Sequence, residues 1–419
     1  MRRMTAVPTE RGARRVKRVR LPRTLRMLGP GVVAGASDND PTTVATVAVV
    51  GSTTAYALGW LALLIFPMLA VVQLIAARVG FVTRKNLADL VLARFGMSWS
   101  RVFVLSVVPV TVITLAADLK AGAAALALLT SLDLRWFILP LSAFALAIPV
   151  LGSYGQVKRA LQGIALAFLA YVVAAFAARP NWATVLHDSF VPSLKWTSDY
   201  TKGALALLGT TLTSYVYVWE TVELAEEPDS DETLRDAELD ASIGAFFVVV
   251  TFWFILIATA ATLGVHHHEV QTADDAARAL RPFAGAAASA LFGVGLLASA
   301  LLVLPVLMAV TAYLLGCERD WPRRLARPIS EAREFYAAMA IAVAVAASIS
   351  FLSISPIRIL FVASIAGGVA TPVSLIFLVL VGRDRVTMGG RRISPGLMIA
   401  GYAIALIVTA SGLAALIDG

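Results

Sequence analysis

The sequence has few charged residues and almost no cysteine. Only 15% of its 419 residues are charged, whereas 59% are hydrophobic, and the mean hydropathy is +0.80. Soluble domains carry about 25% charged residues, so this composition excludes an ordinary soluble fold and predicts an integral membrane protein. Cys317 is the only cysteine, which excludes an intramolecular disulfide and a thiolate cluster for soft metals within one chain.

Histidine is also scarce. His187 and His266–His268 are the only four histidines, and all lie in predicted outer loops. A membrane-embedded metalloenzyme using these histidines with Asp38 and Asp40 is disfavoured, because the two groups lie at different membrane depths and no HExxH motif is present. We therefore expect no enzyme activity and no organic cofactor, and we interpret His266–His268 with Glu269 as a polar outer turn.

Long apolar segments dominate the chain. A helix needs about 20 apolar residues to cross the hydrocarbon core of a bilayer. Eleven such segments are predicted, near residues 28–50, 58–80, 102–127, 135–152, 160–178, 203–222, 241–264, 286–315, 335–353, 358–381 and 396–416. The prediction is an all-α polytopic membrane protein.

Basic residues predict how these spans are oriented. Residues 1–26 are predicted to form a basic cytoplasmic arm without a cleavable signal peptide. With that arm inside, the cytoplasmic segments carry 27 Lys and Arg residues and the outer segments carry seven. We therefore expect a multi-pass protein of the cell membrane, with the N-terminus cytoplasmic and the C-terminus outside. The net charge of +8 is explained by topology and lipid headgroups, so no nucleic-acid partner is expected.

Polar residues interrupt two of the predicted spans. In span 1, Pro41 follows Asp38, Asn39 and Asp40, and it should break the helix at that point. In span 6, Thr210, Thr211, Thr213 and Ser214 follow a glycine. Irregular backbone at membrane depth survives only when it is buried or lines a cavity. Matched interruptions five spans apart are typical of an inverted-repeat transporter with a site at the membrane midplane.

The residues around these breaks resemble the NRAMP family of divalent metal transporters. Gly-Pro-Gly-Val-Val-Ala-Gly-Ala-Ser-Asp-Asn-Asp-Pro-Thr-Thr, residues 29–43, is similar to the family's first span with its Asp-Pro-Gly-Asn signature. Further similar segments occur in the family's order at residues 117–119, 154–158, 291–298 and 370–372. The resemblance implies a transporter domain over 27–417 with a LeuT-type 5+5 inverted repeat and broken helices 1 and 6. Repeat one covers about 27–180, repeat two about 201–385, and an eleventh helix about 394–417.

The resemblance also implies a metal site. Asp40 falls on the family's metal-binding aspartate, and Thr43 falls where the family has asparagine. In span 6, Thr210 falls where the family offers a backbone carbonyl, Thr213 replaces its methionine, and Tyr215 replaces its histidine. The expected ligands of a transported divalent cation are therefore Asp40, Thr43, Thr210 and Thr213, although hydroxyl residues also serve in ordinary helix packing.

The loss of the methionine favours a hard cation. A thioether suits softer transition metals, whereas carboxylate, hydroxyl, carbonyl and water oxygens suit Mg²⁺. Magnesium also keeps several of its waters when one or two carboxylates hold it. These site residues are closest to the NRAMP-related magnesium transporters, so Mg²⁺ is favoured over Mn²⁺, which also accepts oxygen ligands.

Proton coupling is doubtful in this chain. Asp118 matches the family's span 3 aspartate, but Thr111 and Ala121 stand where nearby acids are expected, and no histidine lies in a span. The candidates for a vestibule or relay are Asp38, Asp118, Tyr215, Glu220 and Glu223. Of the acidic residues between 220 and 240, those beyond Pro228 could equally form a solvated loop.

Two alternatives remain open at this point. One is a proton-coupled Mn²⁺ or Fe²⁺ symporter of the ordinary NRAMP type. The other, which is less favoured, is an organic-solute carrier such as an amino-acid carrier on the same scaffold, since a fold does not fix a substrate. Beyond the divalent cation and the lipid bilayer no partner is indicated. The oligomeric state is open, and a monomer is compatible with the sequence.

Overall fold

All regular elements among the described residues are helical. The computed structural model describes residues 39–150, 170–226, 233–266, 268–319, 321–323, 325 and 327–417. The α-helices of these segments are α1 Pro41–Thr54, α2 Gly59–Thr83, α3 Leu87–Phe95, α4 Met97–Thr130, α5 Arg135–Val150, α6 Ala170–Ala177, α7 Trp182–Phe190, α8 Ser198–Thr211, α9 Ser214–Glu226, α10 Leu234–Thr262, α11 Ala273–Arg278, α12 Arg281–Ala284, α13 Ala288–Gly316, α14 Arg333–Ser350, α15 Pro356–Arg383, α16 Arg385–Met388 and α17 Pro395–Ile417.

The predicted all-α membrane fold is confirmed. Within the described segments, seven helices are long and apolar enough to cross a bilayer, and they coincide with predicted spans 2, 3 and 7 to 11. For span 4, helix α5 covers the described part, and for span 5, helix α6 does so. Residues 28–38 of span 1, which include Asp38, lie outside the described residues, as does the segment 154–158.

Span 6 is broken as predicted. Helix α8 ends at Thr211, and its last backbone hydrogen bond runs from the Leu212 N–H to the Leu208 carbonyl at 2.9 Å. Helix α9 begins at Ser214. The carbonyl of Leu212 accepts a hydrogen bond of 3.0 Å from the Thr371 hydroxyl of α15. A neighbouring helix thus supplies a donor at the break, as buried backbone at this depth requires.

The described half of span 1 begins at the predicted break. Asp40 is the N-cap of α1 and has extended backbone angles, φ −68° and ψ 167°, while Pro41 occupies the first helical position. Proline fits this position because its missing N–H would have no intrahelical partner there. The break in span 1 therefore places a carboxylate at the start of a half-helix.

The longest helices between the spans, α3 and α7, were not predicted by the apolar pattern. Asn86 caps α3 and Asn181 caps α7, in each case by accepting a backbone N–H in the first turn. Both helices have nine residues, too few to span a bilayer. A search for apolar runs of about 20 residues passes over such helices, although asparagine before each is a recognised start signal.

Helices α4 and α13 pack along each other through the centre of the molecule, and α14 and α15 also pack against α4. Helix α1, from the first half of the chain, contacts α8, α10 and α15 of the second half. At the crossing of α8 and α15, Gly209 lies against Ser364 and Gly368. This arrangement brings the break in span 1 and the break in span 6 to one buried region.

Candidate metal centre

Asp40 is the centre of this buried region. Only 1% of the residue is exposed. Its Oδ1 accepts a hydrogen bond of 2.6 Å from the Thr43 N–H, and its Oδ2 accepts one of 2.5 Å from the Tyr215 hydroxyl. A buried carboxylate is costly unless such donors stabilise it. The α1 half-helix and the α9 half-helix each provide one donor.

Two threonines from the two broken spans lie in direct contact. The Thr43 and Thr210 hydroxyl oxygens are 3.0 Å apart, and both residues are buried. The Thr210 carbonyl, one residue before the end of α8, accepts no backbone hydrogen bond from any residue in the described segments. Carbonyl and hydroxyl oxygens of this kind are ligands that hard cations accept.

Thr213 lies in the linker between α8 and α9 and is 5% exposed. Its carbonyl accepts a hydrogen bond from the Val216 N–H at 3.3 Å. Tyr215, two residues later, reaches Asp40 directly. The structure therefore brings Asp40, Thr43, Thr210 and Tyr215 into one hydrogen-bonded group and places Thr213 in the adjoining linker.

Asp118 forms a second buried carboxylate beside α1. Its Oδ1 accepts hydrogen bonds from the Thr42 N–H at 3.0 Å and from the Thr42 hydroxyl at 2.6 Å. Its Oδ2 has no hydrogen-bond partner among the described residues, and the residue is 0% exposed. Asp118 is therefore bonded to Thr42, whereas Asp40 is bonded to the next residue of α1, Thr43.

Other contacts of α1 could not be predicted from the resemblance. The Thr46 hydroxyl lies 2.6 Å from the Ser364 hydroxyl of α15, and the Ser299 hydroxyl of α13 donates to the Asn39 carbonyl at 2.7 Å. The only sequence signal is the accumulation of hydroxyl residues on α1 after Pro41. These bonds tie the break in span 1 to helices from the second half of the chain.

The remaining candidates lie apart from this group. Glu220 and Glu223 are partly buried on α9, about 7 and 12 Å along the helix axis from Tyr215 at a rise of about 1.5 Å per residue. Lys120, two residues after Asp118, donates to the Leu352 carbonyl at 2.5 Å. His266 and His268 are exposed between α10 and α11.

The donor set of the site is made of oxygen. In the part of the chain that the structure describes, no three His, Cys, Asp or Glu side chains form a group that could hold a metal ion. A cation at Asp40 would therefore be held by one carboxylate together with hydroxyl, carbonyl and water oxygens. Such a set can retain part of an ion's water shell.

Sequence comparison places the whole chain in one family. A family profile described as "Natural resistance-associated macrophage protein-like" matches residues 31–418. Two relatives named "Divalent metal cation transporter MntH" are similar along most of their lengths. The protein from Deinococcus radiodurans is 27% identical over 95% of this chain and 90% of its own, and that from Aeromonas hydrophila is 26% identical over 92% and 93%.

Structure comparison shows the same fold in solved transporters. A mutant manganese transporter from Eremococcus coleocola superposes with a TM-score of 0.69 at 18% identity, covering 93% of this chain and 85% of that one. MhsT in complex with L-phenylalanine gives a TM-score of 0.60 at 14% identity, covering 93% and 98%. These neighbours have the LeuT fold. With its matching profile, broken spans and buried aspartate, this chain belongs to the NRAMP family of multi-pass membrane transporters.

Proposed function

We propose that this protein imports a divalent metal cation by alternating access, with Mg²⁺ favoured over Mn²⁺. Membership of the NRAMP family and the relatives named as divalent metal cation transporters support the cation class. The loss of the methionine at Thr213 supports the choice of ion. We also propose that its site residues place it near the NRAMP-related magnesium transporters.

The observation that carries the proposal is the oxygen-only group around Asp40. Asp40 supplies the charge, and the hydroxyls of Thr43 and Thr210 meet at 3.0 Å beside it. The Thr210 carbonyl and Thr213 complete the proposed ligand set from the span 6 break. A hard divalent ion that keeps several waters suits one carboxylate with neutral oxygens, whereas softer metals gain from sulfur or imidazole ligands.

Alternating access requires the two broken spans to move relative to their neighbours. In the proposed mechanism, spans 1 and 6 rock against the scaffold, which includes α4 and α13. The contacts that must rearrange are then the bonds from Thr42 to Asp118 and from Ser299 to the Asn39 carbonyl. Repeat boundaries near 27–180 and 201–385, with helix 11 near 394–417, fit this division.

Membrane potential supplies the driving force in this proposal. Moving one elementary charge across 100 mV is worth about 2.3 kcal/mol, so a divalent cation gains about 4.6 kcal/mol. Uptake into a negative interior therefore needs no second ion. The N-terminus is proposed to be cytoplasmic and the C-terminus outside, which directs Glu220 and Glu223 on α9 towards a cytoplasmic vestibule. Asp38 is proposed to line the same path.

A proton-coupled Mn²⁺ symporter is the second candidate. One of the structural neighbours is a manganese transporter, which favours the manganese part of this candidate. Asp118, buried beside Asp40's helix, is the group that could carry a proton in such a cycle. The two candidates differ in the preferred ion and in whether the lumen acidifies during uptake.

Competition in proteoliposomes tests the proposed ion selectivity. Uptake of Mg²⁺ would be measured at fixed membrane potential with increasing external Mn²⁺, and the reverse experiment would be run in parallel. We expect Mn²⁺ to inhibit Mg²⁺ uptake only above equal concentration. Strong inhibition by trace Mn²⁺, or Mn²⁺ uptake without Mg²⁺ uptake, would contradict the Mg²⁺ preference and favour the Mn²⁺ symporter.

A further inference from the structure

Tyr215 donates its hydroxyl hydrogen to the carboxylate at the centre of the site. The bond to Asp40 Oδ2 is 2.5 Å long, and Tyr215 is 5% exposed. We propose that Tyr215 is a positioning residue that holds Asp40 while the carrier returns across the membrane without a cation. This inference rests on the proposed function, since it assigns a step in that same transport cycle.

The two oxygens of Asp40 are stabilised in different ways. Oδ1 receives its hydrogen bond from Thr43, three residues along the same helix, so that donor moves with Asp40. Oδ2 receives its hydrogen bond from a residue 175 positions away, on α9. The first bond is the N-cap of α1 and lies within one half-helix. The second is the one that can be exchanged for another partner.

A returning carrier must compensate the charge of its buried aspartate. An ionised carboxylate left without partners in an apolar interior is strongly destabilised. A proton bound to Asp40 would remove the charge but would be transported across the membrane. A hydrogen bond from a neutral hydroxyl group stabilises the charged carboxylate without transporting a second ion. The phenol of Tyr215 provides that donor, and the irregular linker at residues 212–213 immediately before α9 gives its helix a point at which to move.

Comparing the rate of net uptake with the rate of ion exchange distinguishes the return of the empty carrier from cation binding. Net uptake requires the return of the empty carrier, whereas exchange of one ion for another across the membrane does not. Removing the hydroxyl as Tyr215→Phe keeps the ring and its packing. Because a hydrogen bond to a charged group is worth about a tenfold factor or more, net uptake should fall about tenfold while exchange changes by less than about twofold.

Tyr217→Phe is the matched control. Tyr217 lies on the same helix and is equally buried, but its hydroxyl bonds to Ser214 and Ser374 instead of Asp40. This variant should keep the wild-type ratio of net uptake to exchange. Tyr215→His is the second variant: because its neutral ring keeps an N–H donor, it should keep most of the net uptake without acidifying the lumen. It also tests the inference if Tyr215→Phe does not fold.

The experiment uses purified full-length protein in liposomes, with Mg²⁺ and Mn²⁺ each tested as isotopes inside and outside. A selective loss of net uptake in Tyr215→Phe alone supports the inference. Equal losses of both rates, an unchanged ratio, or the same selective loss in Tyr217→Phe or Tyr215→His would overturn it. If the wild-type protein carries neither ion in either mode, the proposed function itself fails.

Discussion

At the scale of single residues, the site depends on one carboxylate held by donors from two broken helices. Asp40 is capped by its own helix through Thr43 and contacted by Tyr215 from the other half of the chain. The aspartate and the proline after it are recognisable in the sequence, because a charge and a helix breaker inside an apolar run are rare. The Tyr215 contact is a tertiary pairing that no local pattern encodes.

Asp40→Asn should abolish transport while leaving the fold intact. The amide keeps the size and most hydrogen bonds of the side chain but loses the charge that attracts a divalent ion. Losing one partner of a buried charged contact costs about 3–5 kcal/mol, so affinity should fall at least a hundredfold. Isothermal titration with Mg²⁺ and uptake in proteoliposomes would measure this loss.

The matched control for this change is Asp133→Asn. Asp133 is exposed in the loop before α5 and accepts a hydrogen bond of 2.8 Å from the Arg135 N–H. It should transport like the wild-type protein. Undiminished Mg²⁺ uptake by Asp40→Asn would remove Asp40 from the proposed ligand set.

Thr213→Met should move the ion preference towards softer metals. A thioether in the linker between α8 and α9 gives Mn²⁺ or Cd²⁺ a ligand that Mg²⁺ does not favour. We expect the ratio of Mn²⁺ to Mg²⁺ uptake to rise about tenfold, equivalent to about 1.4 kcal/mol. Thr262→Met, at the end of α10 and away from the site, is the control. An unchanged ratio would mean that Thr213 does not face the ion.

At the scale of helices, α8 and α15 cross closely at Gly209, just before the span 6 break. A Cβ atom on Gly209 would come within 2.0 Å of the Ser364 carbonyl oxygen and 2.3 Å of the Gly368 nitrogen. Both neighbours are backbone atoms, so neither can rotate away. Close helix approach through small residues is a common means of association in membranes.

Gly209→Ala should therefore destabilise the protein. Overpacking a well-packed contact costs about 1–3 kcal/mol, and the thermal midpoint in detergent should fall by several degrees. Gly390→Ala is the control, because a Cβ there meets no atom within 4 Å. Equal midpoints for the two variants would show that the crossing is looser than described.

Helix positions were largely predictable and helix interruptions only partly so. The apolar runs fix spans such as α2 and α15 because a bilayer-crossing helix needs about 20 apolar residues. The break between α8 and α9 was predicted from a cluster of hydroxyl residues. Helices α3 and α7 were not predicted, because amphipathic helices of nine residues do not form long apolar runs. Short helices are decided by their caps and by tertiary packing.

At the scale of the whole molecule, polar contacts tie together the ends predicted to be cytoplasmic. Glu226 at the end of α9 accepts hydrogen bonds from the Tyr313 hydroxyl and, at 3.1 Å, from the Leu325 N–H. Asp384 pairs with Arg94 at 3.0 Å. Although burial opposes ionisation of Asp384, hydrogen bonds from Thr387 and Arg94 lower its pKa. This contact therefore stabilises the fold at neutral pH and weakens only in acid.

The predicted topology can be tested with single cysteines. In a Cys317→Ser background, Ser353→Cys lies in the exposed loop between α14 and α15, which is predicted to be outside, and Gly390→Cys lies after α16, which is predicted to be cytoplasmic. A membrane-impermeant maleimide should label the first in intact cells and the second only after permeabilisation. The reverse pattern would place the N-terminus outside and contradict the distribution of basic residues.

We propose that a hard divalent cation crosses this protein alone, driven by membrane potential. The most direct measurement is Mg²⁺ uptake into proteoliposomes at a clamped negative interior potential, with a pH dye inside and Asp40→Ala as the inactive control. We expect Mg²⁺ uptake that depends on Asp40 and proceeds without acidification of the lumen. Mn²⁺ uptake accompanied by protons, with no Mg²⁺ uptake, would contradict it.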